Sequence, residues 1–332
     1  MEIRRNADWA GRALRALQIA SGVAGGLALT RQLMNVFAEL GVETTLDREV
    51  PELMRRWRHP GKSKPGVRPT TRQAVEALQA FPRERVELRA SDGVRLVGHW
   101  FPAERPKRVI LAVHGWRTNW ARDFGAMIPF LLEEGCCVLC VDQRAQGESG
   151  GEVIGFGLLE RWDVLDWLEK LDGFDSVAGL PVYLAGVSMG ATTVLMAAGR
   201  PLPDRVRGIV ADCGFTSLPD IWEVVWKRSQ PLPYALWRDT LLRLAAKRLG
   251  CDPYAETTET ALSRATVPVL FVHGLDDRFV PPEMTKRAYL ACAAPKRLLG
   301  IPGAGHALSF QTDPETYQNA LKQFWHDFEG SV

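Results

Sequence analysis

At 332 residues, with 46% hydrophobic and 24% charged residues, the chain holds enough apolar material for one large core and room for an appendage. A formal net charge of +2 gives no case for a nucleic-acid partner. Six cysteines, at 136, 137, 140, 213, 251 and 292, show no metal-ligand spacing. Three of them crowd one apolar run, where small thiols behave as hydrophobes. That usage favours a reducing compartment over a disulfide framework.

Residues 1–80 are expected to form a helical extension ending in a basic linker. Arg4, Arg5, Arg12 and Arg15 precede an uncharged run over 16–30 that also carries Gln18, Ser21 and several glycines. The run is shorter than the roughly 20 apolar residues a membrane span needs, and it has no convincing small-residue cleavage site. The expectation is a helix packed on the main domain of a cytoplasmic protein; the alternative is weak membrane attachment through this segment. Residues 31–57 read as helical, with Leu33, Phe37 and Leu40 on one stripe and Leu53 and Trp57 on a second. Residues 55–66 are basic and broken by Pro and Gly, as expected of a linker or exposed loop.

From residue 84 the period changes. Residues 85–89 and 94–101 alternate around Ser91-Asp92-Gly93, a hairpin signal. A continuous apolar run over 108–113 reads as a strand buried on both faces. Phe124, Met127, Ile128 and Leu131 then recur at helical spacing. Strand and helix alternate thereafter: strands over 137–142, 181–187, 206–212, 268–273 and 296–301, helices over 157–171, 189–199, 283–293 and 314–328. This order implies an α/β fold over 81–329, a mostly parallel sheet covered by helices on both faces. The interruption over 214–266 is rich in large apolar residues and broken by Pro231 and Pro233. It reads as a helical cap inserted at the strand-end face.

The stretch over 182–193 organises the rest. A β-prone run ends at Gly186, a helix-prone run begins at Met189, and Ser188 lies between them in Gly-x-Ser-x-Gly. So abrupt a strand-to-helix turn exposes the serine hydroxyl above the sheet beside free helix N–H groups, which reads as a nucleophile. Three other strand ends carry chemistry. His114-Gly115-Trp116 follows the strand over 108–113, and the Trp116 amide there can serve as one oxyanion donor, with the Met189 amide as the second. His114 is expected to prop the loop by hydrogen bonding. Asp276 and Asp277 follow the strand over 268–273, and either carboxylate could reach an imidazole. His306 follows the strand over 296–301 on a Gly-rich loop.

These pieces, together with Asp142-Gln143-Arg144-Ala145-Gln146-Gly147-Glu148-Ser149, resemble the α/β-hydrolase fold superfamily over roughly residues 84–329. The similarity is greatest to bacterial serine hydrolases with a prolyl-oligopeptidase-like or acyltransferase-like catalytic domain. The resemblance implies a triad of Ser188, Asp277 and His306, because the family spacing puts the acid four residues after the histidine of His-Gly. Ala145 departs from the glycine common at its position and Leu275 from a frequent aspartate; neither is in the triad. A serine at 188 argues against the haloalkane-dehalogenase and epoxide-hydrolase branches.

The resulting expectation is a serine hydrolase of small-molecule carboxylic esters that uses no metal or organic cofactor. Trp222, Trp226, Tyr234 and Trp237 of the cap are expected to line an apolar acyl pocket. A peptidase or amidase and an acyltransferase are the alternatives with the same triad; a non-catalytic binding scaffold is the alternative of a different class.

Overall fold

The computed structural model describes residues 23–50 and 70–329, with side chains from residue 32 onward. Leu53, Trp57 and the expected basic linker lie outside the described residues. The sheet is built from β1 (Glu84–Arg89), β2 (Arg95–Phe101), β3 (Arg108–Val113) and β4 (Cys136–Asp142). It continues with β5 (Val182–Val187), β6 (Val206–Asp212), β7 (Val269–Gly274) and β8 (Lys296–Ile301). These eight strands lie in the spatial order β1-β2-β4-β3-β5-β6-β7-β8. Only β2 runs antiparallel to its neighbours β1 and β4.

Strands β3, β4 and β5 are buried along their whole length. A period of two splits their side chains between the faces. Val109, Leu111 and Val113 enter one core with Trp167 and Val194, while Ile110 and Ala112 enter another with Phe324 and Trp325. Both faces therefore need helices, and the crossovers supply them. The first part of the chain contributes α1 (Val23–Leu46), α2 (Thr71–Glu76), α3 (Trp120–Phe124) and α4 (Ile128–Glu133). The middle contributes α5 (Glu160–Asp172), α6 (Met189–Ala197), α7 (Leu218–Ser229), α8 (Arg238–Leu249) and α9 (Thr258–Leu262). Last come α10 (Pro282–Ala291), α11 (Ser309–Thr312) and α12 (Pro314–Glu329). α5 and α6 cover the Trp167 face, and α12 covers the other. The edge strand β1 carries Glu84, Arg85, Glu87 and Arg89, charges that discourage pairing with another sheet edge.

The insertion between β6 and β7 holds α7, α8 and α9. Ser217 caps α7 by accepting a hydrogen bond from the Asp220 amide at 3.2 Å. α8 stops at Gly250, whose φ of +73° is the left-handed cap that glycine adopts without strain. Ala261 and Leu262 of α9 are fully buried, Leu262 within the Trp167-side core, so this end of the insertion joins the main body.

Of the stripe expected on α1, Leu40 is buried and Leu33 half-buried, but Phe37 is not. Phe37 is 64% exposed, while Ala38, Val42 and Leu46 are buried, with Met34 packed beside them. The reason is close approach: small residues let α1 lie against α8, and Gly41 faces Leu241 there. The helix ends at Leu46 and so stops short of the expected 57. No helix among the described residues is long and apolar enough to cross a membrane. All six cysteines are free, and burial pushes the Cys136 thiol up to about 11.

Leu46→Ala should lower the urea-unfolding stability by about 2–5 kcal/mol, the cost of a large-to-small change in a buried site. Phe37→Ser should stay within about 0.5 kcal/mol of the native chain. A reversal of these two results would show that α1 presents the Phe37 side chain to the core.

Candidate active site

β5 and α6 are separated by one residue, Ser188, whose φ of 55° and ψ of −118° fall outside the ordinary helical and extended regions. A non-glycine residue held there costs about 1–3 kcal/mol. Crowding explains why its neighbours are glycines. A Cβ on Gly190 would lie 1.9 Å from the Val113 carbonyl oxygen, and one on Gly186 would lie 2.3 Å from that of Gly190. The turn is anchored by the Ser188 amide, which donates to the Asp212 carbonyl at 2.8 Å.

The ends of β7 and β8 bring two more expected residues to the serine. His306 Nε2 stands 2.9 Å from Ser188 Oγ, and its Nδ1 stands 2.7 Å from Asp277 Oδ2. Because the carboxylate can only accept, the imidazole proton sits on Nδ1 and Nε2 accepts from the hydroxyl. Asp277 is buried and Asp276 is exposed, its amide spent on the Ala304 carbonyl at 2.9 Å. Of the two adjacent acids left open by the residues alone, Asp277 is the one that meets the imidazole.

Burial by itself would raise the Asp277 carboxyl. Hydrogen bonds from His273 and His306 outweigh it and hold the group well below the ordinary carboxylate range. Its other oxygen accepts from the amides of Phe279 at 2.7 Å and Val280 at 2.9 Å. His273 was legible only as half of a His-Gly motif, yet it completes this shell. Its Nε2 faces the Val280 carbonyl at 3.0 Å and Asp277 Oδ2 at 3.3 Å, both acceptors, so that nitrogen carries the proton. Nδ1 pairs with Thr285 Oγ1 at 2.6 Å. Phe279 lies against the His306 ring, with centroids 4.9 Å apart. Ser309 donates to Asp212 at 2.8 Å and ties down the far side of the histidine loop.

The loop after β3 reaches the serine from the opposite side. A Cβ on Gly115 would lie 3.3 Å from Ser188 Cβ. The Gly115 amide donates to Asp123 Oδ2 at 2.8 Å and the Arg117 amide to Gln146 Oε1 at 2.6 Å, which fixes the two peptide planes that flank the one carrying the Trp116 amide. His114 is fully buried; its Nε2 accepts from the Gln143 amide at 3.2 Å, and its Nδ1 pairs with the Gly115 carbonyl at 2.7 Å. It props the loop.

The four aromatics expected to line a pocket all lie in the insertion between β6 and β7, in or against one apolar cluster. Trp226 packs on Tyr234 at 6.1 Å and on Trp237 at 5.3 Å, and its indole N–H donates to the Leu232 carbonyl at 2.7 Å. Tyr234 and Trp237 are buried in this group. Trp222 and Trp226 are both half-buried against the apolar cluster that contains Met189, Tyr234 and Trp237, and Trp222 takes no part in the ring contacts of Trp226. Two clusters of potential metal ligands exist among the described residues, Cys213-Asp277-His306 and His99-Asp142-Glu148. In the first, the carboxylate and imidazole already share a hydrogen bond, and burial pushes the Cys213 thiol far up, away from the thiolate a metal needs. In the second, Glu148 is engaged by Arg85 at 2.7 Å.

Against known proteins, the model of the alpha/beta hydrolase family matches residues 110–319. The uncharacterized protein YqkD of Bacillus subtilis (strain 168) is 29% identical over 239 residues, 70% of this chain and 76% of its own. The bifunctional esterase/perhydrolase DCH of Acinetobacter calcoaceticus is 26% identical, over 68% of this chain and 93% of its own. Among solved structures, the Pyrococcus furiosus esterase Pf2001 superposes with a TM-score of 0.62 at 22% identity, over 79% of this chain and 96% of its own.

A carboxyl held below its unfolded value near 3.9 contributes stability above that pH and loses it as the pH falls. The stability difference between the native chain and Asp277→Asn should therefore be constant above about pH 5 and narrow below about pH 4, read from urea midpoints. A difference that stays constant down to pH 3 would mean that the carboxylate is not held in its charged form.

Proposed function

The chain belongs to the alpha/beta hydrolase family, and on that premise we propose that it is a serine hydrolase of carboxylic esters. The observation that carries this reading is the unbroken relay from Ser188 Oγ through His306 to the buried Asp277 carboxylate. In the proposed reaction, His306 Nε2 takes the serine proton as Oγ bonds to the ester carbonyl carbon. Asp277 holds the ring in the useful tautomer and stabilises the imidazolium that forms. The Trp116 and Met189 amides receive the oxyanion; loss of one such donor typically costs about 3–4 kcal/mol of barrier. The tetrahedral adduct then collapses, the alkoxide leaves with the proton from Nε2, and water repeats the sequence on the acyl-enzyme.

Two relatives described as esterases, DCH and Pf2001, support the ester over the peptide bond as the substrate. Six free thiols support a reducing, cytoplasmic setting. For the acyl pocket we assign Trp222, which is half-buried and stands outside the ring contacts of Trp226 with Tyr234 and Trp237, and give those three the task of holding the cap together.

The test is a panel of p-nitrophenyl esters of rising chain length beside aminoacyl anilides. Ester turnover should dominate, and Ser188→Ala should remove nearly all of it. Asp277→Asn should lower kcat by about 10³–10⁴ and Asp276→Asn by less than about threefold. Faster cleavage of the anilides would make the enzyme an amidase or peptidase, and reversed aspartates would overturn the assignment of the acid.

Each methylene added to the acyl chain should raise kcat/KM by up to about fourfold, near 0.8 kcal/mol, until the pocket is full. Trp222→Ala should move that optimum; Trp226→Ala should lower the melting temperature and leave the optimum in place. A flat chain-length profile in the native enzyme would remove the apolar pocket from the account.

A further inference from the structure

We propose that Arg117 is a positioning residue of the oxyanion loop, and that the C-terminal end of α1 is the support it pulls against. This rests on the reading of the Trp116 amide as an oxyanion donor. Arg117 has a φ of 50°, in the left-handed region that residues with a β-carbon rarely occupy. Such a conformation persists where the surroundings over-determine it, and here they do. The guanidinium donates to the carbonyl oxygens of Arg48 at 3.1 Å, Thr44 at 3.0 Å and Asp47. Beside it, the Trp116 indole N–H donates to the Thr45 carbonyl at 3.0 Å. The guanidinium carbon lies 5.3 Å from the centre of the Trp116 ring, so the two side chains grip the helix end as one unit.

Thr44 and Thr45 lie in the last turn of α1, where carbonyls lack intrahelical amide partners and carry partial negative charge, and Asp47 and Arg48 follow directly after it. A planar fork holds its N–H groups in fixed directions on separate nitrogens and so fixes three such oxygens in place, whereas an ammonium is a compact point charge with rotatable donors. The helix end is itself braced. Arg48 donates to the carbonyls of Gly147 at 3.0 Å and Ser149, and the Ile154 amide donates to the Leu46 carbonyl at 2.6 Å. On its other side α1 packs on α8 of the cap through Ala38, Val42 and Leu46. The segment that precedes the sheet by some forty residues thus forms the back wall of the loop that faces Ser188. A small shift of the Trp116 peptide would weaken contact with the oxyanion, which exists only in the transition state, and leave ester binding intact.

The experiment measures kcat, KM and melting temperature for Arg117→Ala, Arg117→Lys and Ser188→Ala with one p-nitrophenyl ester. Arg117→Ala should lower kcat by about 10- to 100-fold, a fraction of what loss of a whole oxyanion donor costs, with KM within about threefold. Arg117→Lys should fall between it and the native enzyme. Methylguanidinium should restore part of the activity of Arg117→Ala and none of that of Ser188→Ala. An unchanged kcat, or a raised KM at constant kcat, overturns the positioning role. So does a kcat loss that simply follows loss of folded protein and is not rescued. If Arg117→Ala does not fold, full activity in Arg117→Lys overturns the proposal equally. Turnover remaining in Ser188→Ala would overturn the nucleophile assignment, whereas an inactive Ser188→Ala beside a fully active Arg117→Ala would overturn the positioning role alone.

Discussion

The close passage of the β3 end across the start of α6 is the constraint on which the site depends. The carbonyl oxygen of Val113 lies where a β-carbon on residue 190 would begin, and Gly186 and Gly190 leave no more room between themselves. With strand and helix pressed this near, the residue between them has no relaxed conformation available. Ser188 takes a positive φ and projects its hydroxyl between two loops. The same contact brings Gly115 against the serine, so the candidate nucleophile and the candidate oxyanion loop are positioned by one packing event.

A second feature is how the acid is kept charged in a place that should neutralise it. Burial disfavours a carboxylate, and Asp277 is fully enclosed. It stays ionised because two imidazoles and two backbone amides all point donors at it. His273 needs no catalytic role to matter here. By sharing one proton between the Val280 carbonyl and the carboxylate, it holds the aspartate side chain rigid, so that His306 answers to Ser188 and not to fluctuations of its partner.

Much of this was legible in the sequence because the periods are strong. The unbroken apolar runs of β3 and β5 and the Gly-x-Ser-x-Gly turn mark a buried parallel sheet with a strained strand end. The residues alone left Asp276 and Asp277 equivalent; family spacing chose between them, and burial gives the physical difference. Other features had no local signal. On α1 hydrophobicity points correctly to Leu40 but also to the exposed Phe37, whereas close approach to α8 depends on small Ala38 and Gly41. The grip of Arg117 on the carbonyls of residues 44–48 joins a side chain to backbone atoms far away in sequence, and any residue type supplies such a carbonyl. That Trp226, and not Trp222, packs its ring on Tyr234 and Trp237 is likewise a matter of tertiary packing within an insertion of uniform composition.

The central claim is that Ser188 is a nucleophile activated by His306. A fluorophosphonate tests it directly, because the reagent forms a covalent bond only with an activated hydroxyl and mimics the tetrahedral adduct. The native protein should gain one adduct mass, mapped by peptide mass spectrometry to the segment containing Ser188, and His306→Ala should label more slowly by several orders of magnitude. Labelling at another residue, or labelling at Ser188 that is equally fast without the imidazole, would contradict the account.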